Sequence, residues 1–133
     1  MTRDRERLEA LVDLFLLVGE YTLVERVQRF LIVQLRNMGE ECTHLVPSAL
    51  GKLVGIFILQ GDYAKAQPIA EEALSLCSII HGEDSLETAE QLHNLAGLAH
   101  CQYVLSDALP LYQQVLDIKS RLLPPGHEEV NTF

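Results

Sequence analysis

The chain agrees with itself at a spacing of 42 residues. Leu8, Leu50 and Leu92 fall 42 apart, as do Leu11, Leu53 and Leu95. At the same offset Gly19 pairs with Gly61, Tyr21 with Tyr63 and Ala66 with Ala108, while Ile32, Leu74 and Leu116 carry the series further. Thr43, Ser85 and His127 mark a polar seam between copies. A fixed period of this size is the signature of stacked supersecondary units, because one unit is too small to bury its own apolar face and covers it with its neighbour. Copies over about 1–42, 43–84 and 85–126 use up nearly all of the 133 residues, leaving 127–133 as the start of a fourth unit or a tail. One array over 1–133 is therefore expected.

Each copy reads as two helices. Leu92, Leu95, Ala96 and Ala99 recur at three- and four-residue steps, the stripe of an amphipathic helix, with Ser85 placed to cap its start. The return helix carries Ala108, Leu111, Tyr112, Val115, Leu116 and Leu122, and Pro124-Pro125-Gly126 ends it. One period upstream, Pro47 to Gln60 turns at Gly61 and Tyr63 to His81 returns to Gly82, which closes that helix. The pattern predicts helices near 3–18, 21–38, 47–60, 63–81, 85–103 and 105–122. Gly19 and Gly61 supply the backbone freedom that a short helix reversal needs. Tyr103 holds that position in the third copy, so a looser turn is expected there. Ala66, Ala96 and Ala108 let paired helices approach closely.

Composition narrows the classes of function. Ten basic residues against nineteen acidic ones give a net charge of −9, divided as −2, −3 and −4 over 1–42, 43–84 and 85–133. No basic stripe is present, which argues against nucleic acid and against anionic lipid. The acidic excess keeps a protein soluble and favours a basic partner near the C-terminal half. The longest uncharged run, Gln91 to Ser106, is shorter than a membrane span and polar in places, so no membrane partner is expected. Cys42, Cys77 and Cys101 are odd in number and lack CxxC spacing, which fits a reduced, cytoplasmic setting.

The residues Gly82 to Ala96 (Gly-Glu-Asp-Ser-Leu-Glu-Thr-Ala-Glu-Gln-Leu-His-Asn-Leu-Ala) resemble a repeat of the tetratricopeptide family, in the 42-residue form of kinesin light chains. Ala108-Leu-Pro-Leu-Tyr112, Val115 to Ile118 and Leu123 to Val130 extend the resemblance, as do Gly61 to Pro68 and Glu72 to Leu74 in the middle copy. The first copy diverges most, keeping Gly19-Glu20-Tyr21 and Phe15. The resemblance implies an all-α, right-handed solenoid of three antiparallel helix hairpins. It also implies that the first helix of each copy lines a concave groove holding a protein or peptide. By helical spacing that face presents Glu90, His93, Asn94, Gly97, His100 and Cys101 in the third copy. The middle copy presents Ser48, Gly51, Lys52, Gly55, Ile58 and Leu59. The first presents Glu6, Glu9, Ala10, Asp13, Leu16 and Leu17. Asn94 matches the family's groove asparagine, whose amide both donates to and accepts from a peptide backbone. Its equivalents here are Lys52 and Ala10, so no ladder of asparagines runs along the groove. Glu6, Glu9 and Asp13 disfavour an acidic ligand.

Neither a catalytic nor a metal site is expected, and no cofactor. His93 and His100 share a helix face but lie about 10.5 Å apart at about 1.5 Å per residue, too far to reach one ion together. Cys42 beside His44, and Cys101 beside His100, lack an orienting acid or an oxyanion element. The expected role is a non-enzymatic scaffold or adaptor that binds a protein segment in the groove. The alternative is a structural assembly module whose ends self-associate or dock within a larger protein. For that role Leu111, Leu116 and Leu122 would form a C-terminal interface, since no capping helix follows His127 to Val130. Far-UV circular dichroism should show predominantly helix; less than about half helix, or appreciable strand, would overturn the periodic reading.

Overall fold

The computed structural model describes residues 2–123. Six α-helices run α1 Thr2–Val18, α2 Tyr21–Asn37, α3 Val46–Gln60, α4 Tyr63–His81, α5 Leu86–Cys101 and α6 Leu105–Leu122. Every expected boundary falls within two residues of the observed one. One element lies outside the expectation: a 3-10 helix, Glu40–Leu45, carries the chain across the first seam. The stretch 127–133, expected to open a fourth unit or form a tail, lies outside the described residues.

The helices pair as hairpins, α1 with α2, α3 with α4 and α5 with α6, and each new hairpin seats its first helix on the preceding return helix. Thus α3 packs on α2 and α5 on α4, and α3 also meets α5. The result is an all-α solenoid of three antiparallel hairpins. The close seating of α5 is made possible by α4, where Ala66, Ala70, Ala73 and Cys77 recur at three- and four-residue steps and are all buried. Larger side chains on that stripe would hold the helices apart.

Helix α3 is covered from both directions and is apolar almost all round, with Val46, Ala49, Leu50, Leu53, Val54, Ile56 and Phe57 buried. Such a helix belongs in a core. The 21 residues Glu40–Gln60 have the length and hydropathy of a membrane span, which the uncharged-run argument missed, but half of the tested window is buried within the array. The main core joins the first two hairpins and takes in Leu98 from α5. A smaller one, Ala89, Leu92, Val115 and Ile118, holds α5 to α6. Gln28 of α2 is buried between the hairpins, its Nε2 donating to the Ala49 carbonyl of α3 at 2.9 Å. Cross-repeat ion pairs, Arg36 with Glu72 and Arg121 with Asp84, are exposed and contribute less than about 1 kcal/mol each.

The turns share one geometry. Gly19 and Gly61 adopt φ of 77° and 76°, and the chain closes each turn with a pair of backbone bonds. Asp62 N–H donates to the Phe57 carbonyl at 2.8 Å and Gly61 N–H to Ile58 at 3.0 Å. The third turn is no looser, contrary to expectation. Tyr103 takes φ of 62°, its N–H donates to His100 at 3.0 Å, and Val104 N–H donates to Ala99 at 2.9 Å. The hairpin's packing and these two bonds set the turn, and Tyr103 bears the left-handed strain, about 1–2 kcal/mol. The Ser85 cap is as expected: its hydroxyl accepts from Thr88 N–H at 3.1 Å.

Two consequences are testable by thermal melting. Tyr103→Gly should raise the melting temperature, because glycine removes more left-handed strain than the roughly 0.5–1 kcal/mol it adds in unfolded-chain freedom. An unchanged or lower value would show that the Tyr103 turn is not strained. Ala66→Leu and Ala108→Leu, at positions with no room for a larger side chain, should each cost about 1–3 kcal/mol. Parent-like melting of both would remove the close crossing.

Candidate functional site

The first helices of the three hairpins form a polar groove. Within it lies a cavity of about 450 Å³ lined by Ser48, Gly51, Lys52, Glu90, Gln91, His93, Asn94 and Lys119. A second cavity of about 310 Å³ shares Ser48 and Lys52 and carries the groove to Arg5, Glu9 and Gln28. Helix periodicity explains the gathering: Ser48, Gly51 and Lys52 lie on one face of α3, and Glu90, His93 and Asn94 stand 42 residues on in α5.

Gly51 permits the tight part of the site. A Cβ there would lie 2.9 Å from Gln91 Oε1 and 3.0 Å from Asn94 Nδ2, so the absence of a side chain on α3 lets both amides sit against it. Asn94 Nδ2 in turn points to Gln91 Oε1 at 3.4 Å. One turn further along, Gly55 and Gly97 would present an added Cβ to open space. These two glycines leave that stretch of the groove low and unobstructed.

Charges in the groove are mostly answered from within it. Lys52 Nζ lies 2.6 Å from Asp13 Oδ1, tying α3 to α1, and Arg5 pairs with Glu9 at 3.2 Å. Two of the three groove acids expected to repel an acidic ligand thus have cationic partners. Amides and a hydroxyl, rather than a net field, dominate the 450 Å³ cavity.

Of the expected groove residues, the cavity brings together Ser48, Gly51, Lys52, Glu90, His93 and Asn94. His100 lies outside it, with its ring edge-on to Tyr112 at 6.3 Å; His93 meets the same ring at 5.7 Å. Cys101 is exposed at the end of α5. Leu16 and Ile58, placed on the groove by spacing, pack partly buried against the main core instead. Gln91 and Lys119 were not reachable from one helix's spacing: Gln91 is buried at the α3–α5 contact, and Lys119 arrives from the return helix. The residues expected at the C-terminal face divide as well. Leu122 is exposed, Leu116 half-buried, and Leu111 packs against the α5–α6 core.

Among the described residues no group of three or more His, Cys, Asp or Glu is placed to hold a metal ion. Burial pushes the Cys77 thiol's pKa up, against a lowering hydrogen bond from Thr88, and keeps it in its neutral form as a small core residue.

Stacked antiparallel helical hairpins, each seated on the one before, define a helical-repeat solenoid. The tetratricopeptide repeat model matches residues 45–121, more than half of the chain, and the chain belongs to that family. Its fold is similar to the crystal structure of BtubC (BKLC) from P. vanneervenii, with a TM-score of 0.78 and 22% identity. That match covers 88% of this chain and 46% of BtubC, so the chain spans less than half of the solved relative's length. The likeness bears out the all-α solenoid fold expected of the repeat. No curated protein matches the sequence.

His93 offers a local test of the site. Burial, followed by the neighbouring Lys119, holds its pKa below the ordinary value, with Glu90 opposing. A depressed folded-state pKa means that the unfolded chain takes up the proton first as pH falls. The His93 contribution to stability is full above its ordinary value, about 6.5, and is lost as pH falls through the folded value. In an NMR titration His93 should titrate below that value and move upward in Lys119→Gln. A midpoint at or above it would contradict the burial of the ring, and one unmoved by Lys119→Gln would contradict the placement of Lys119 beside it.

Proposed function

We propose that the chain is a non-enzymatic scaffold that holds an extended protein segment in its concave groove. The observation that carries this reading is the convergence of Ser48, Lys52, Gln91 and Asn94 from two helices on one cavity. An extended backbone presents alternating donors and acceptors, and an amide satisfies either. Asn94 meets that backbone with Gln91 behind it, Ser48 and Lys52 meet its carbonyls or acidic side chains, and Gly55 and Gly97 give it room to pass. His93 forms the wall towards α6. Tetratricopeptide repeats as a family mediate protein–protein interaction, which supports the class of ligand. The site works without a cofactor, and the chain works in a reducing, cytoplasmic setting away from membranes and nucleic acid.

A second reading rests on a separate observation. Of the fourteen large hydrophobic residues exposed among the described residues, twelve lie in the first and last hairpins and only Leu59 and Ile79 in the middle one. In that reading the ends of the array mediate assembly.

The groove reading is tested by panning a displayed library of unstructured peptides against the protein. Enriched peptides should bind with measurable affinity and lose at least about tenfold on Asn94→Ala. Gly97→Phe, whose Cβ would enter open space on the groove, should abolish binding while leaving the melting curve intact. Peptides that bind both variants as they bind the parent would exclude the groove.

A further inference from the structure

The same interface is built twice inside this chain, and each end of the array carries one half of a third. In α5, Leu98 is fully buried in the core of the preceding hairpins and Leu95 packs against it. In α3 their equivalents 42 residues earlier, Ile56 and Leu53, are 1% and 2% exposed. In α1 the equivalents are Leu14 and Leu11, and these are 54% and 37% exposed. Helix α1 therefore keeps the residues by which a first helix seats on the hairpin before it, and holds them exposed.

The other end carries the matching seat. Where α5 crosses α4, Leu95 lines a cavity together with Tyr63 and Gln67. Their equivalents on α6 are Leu105 and Leu109, which are 55% and 67% exposed. Gln67 is half-buried, so the seat at the C-terminal end is both more apolar and more open than the one used inside the chain. Ala108 and Val115 of α6, the equivalents of Ala66 and Ala73, are already buried, Val115 against α5, so the open part of the seat is Leu105 and Leu109. Exposed apolar surface on this scale marks an interface.

We propose that the chain associates head to tail, with α1 of one copy seated on α6 of the next as α3 sits on α2 and α5 on α4. The contact joins different surfaces of the two copies and does not close by a two-fold axis, so each added copy leaves a new end open and lengthens the groove. The inference deepens the end-assembly reading and is independent of what the groove holds.

Sedimentation velocity from low micromolar to near-millimolar concentration tests it, on the parent chain and on two variants at exposed positions. Leu14→Glu spoils the head and Leu109→Glu the tail; circular dichroism and melting verify that each folds, and Leu14→Ser with Leu109→Ser replaces either that does not. The parent should pass beyond a dimer as concentration rises. Each variant alone should stay monomeric. An equimolar mixture of the two should give a one-to-one dimer, because the intact tail of the first accepts the intact head of the second. Asn94→Ala should associate like the parent. A parent that is monomeric throughout overturns both the proposal and self-association at the ends. A parent dimer that either single variant still forms, or a mixture that stays monomeric, overturns the head-to-tail contact and leaves end-assembly through a different surface standing.

Discussion

The whole arrangement depends on one contact, the seating of a first helix on the return helix before it. A single hairpin of this length cannot cover its apolar face, so its stability is borrowed from its neighbours. Here α4 contributes a row of small buried side chains, Ala66, Ala70, Ala73 and Cys77, and Leu98 of α5 reaches the main core. The same requirement explains why α3 is apolar on every side but its groove face and why the end hairpins show exposed leucines.

The groove is a by-product of that seating. Stacking first helix on first helix puts every residue of one helical face beside its equivalent 42 positions away. A face with small residues then becomes a channel, and Gly51 lets Gln91 and Asn94 of the neighbouring helix press into it. Function in such a fold is written in the few side chains that the stack leaves facing the channel. The ion pairs of Lys52 with Asp13 and Arg5 with Glu9 keep that channel from acting as a strong field.

Most of the fold was legible because its determinants are local. Stripes at three- and four-residue steps, glycines at turns and the Ser85 cap each act within a few residues, and all six helices follow from them. The Tyr103 turn was misjudged because the backbone there obeys the hairpin's packing, not the preference of its own residue. The 3-10 helix Glu40–Leu45 has no periodic signal of its own at six residues. At the site, Ser48, Lys52, His93 and Asn94 were readable from one helix face, since the groove is a face. Lys119 and the buried Gln91 were not, because they depend on how α5 lies against α3 and α6.

If neighbour seating governs stability, the array should not be uniformly stable. The middle hairpin has a neighbour on each side, whereas each end hairpin has one. Native-state hydrogen exchange of the dilute, monomeric chain measures this directly, residue by residue. The account predicts the slowest exchange in α3 and α4, with protection falling towards α1 and α6. Equal protection in all six helices, or greater protection in α1 than in α3, would contradict the claim that each hairpin is held by the one beside it.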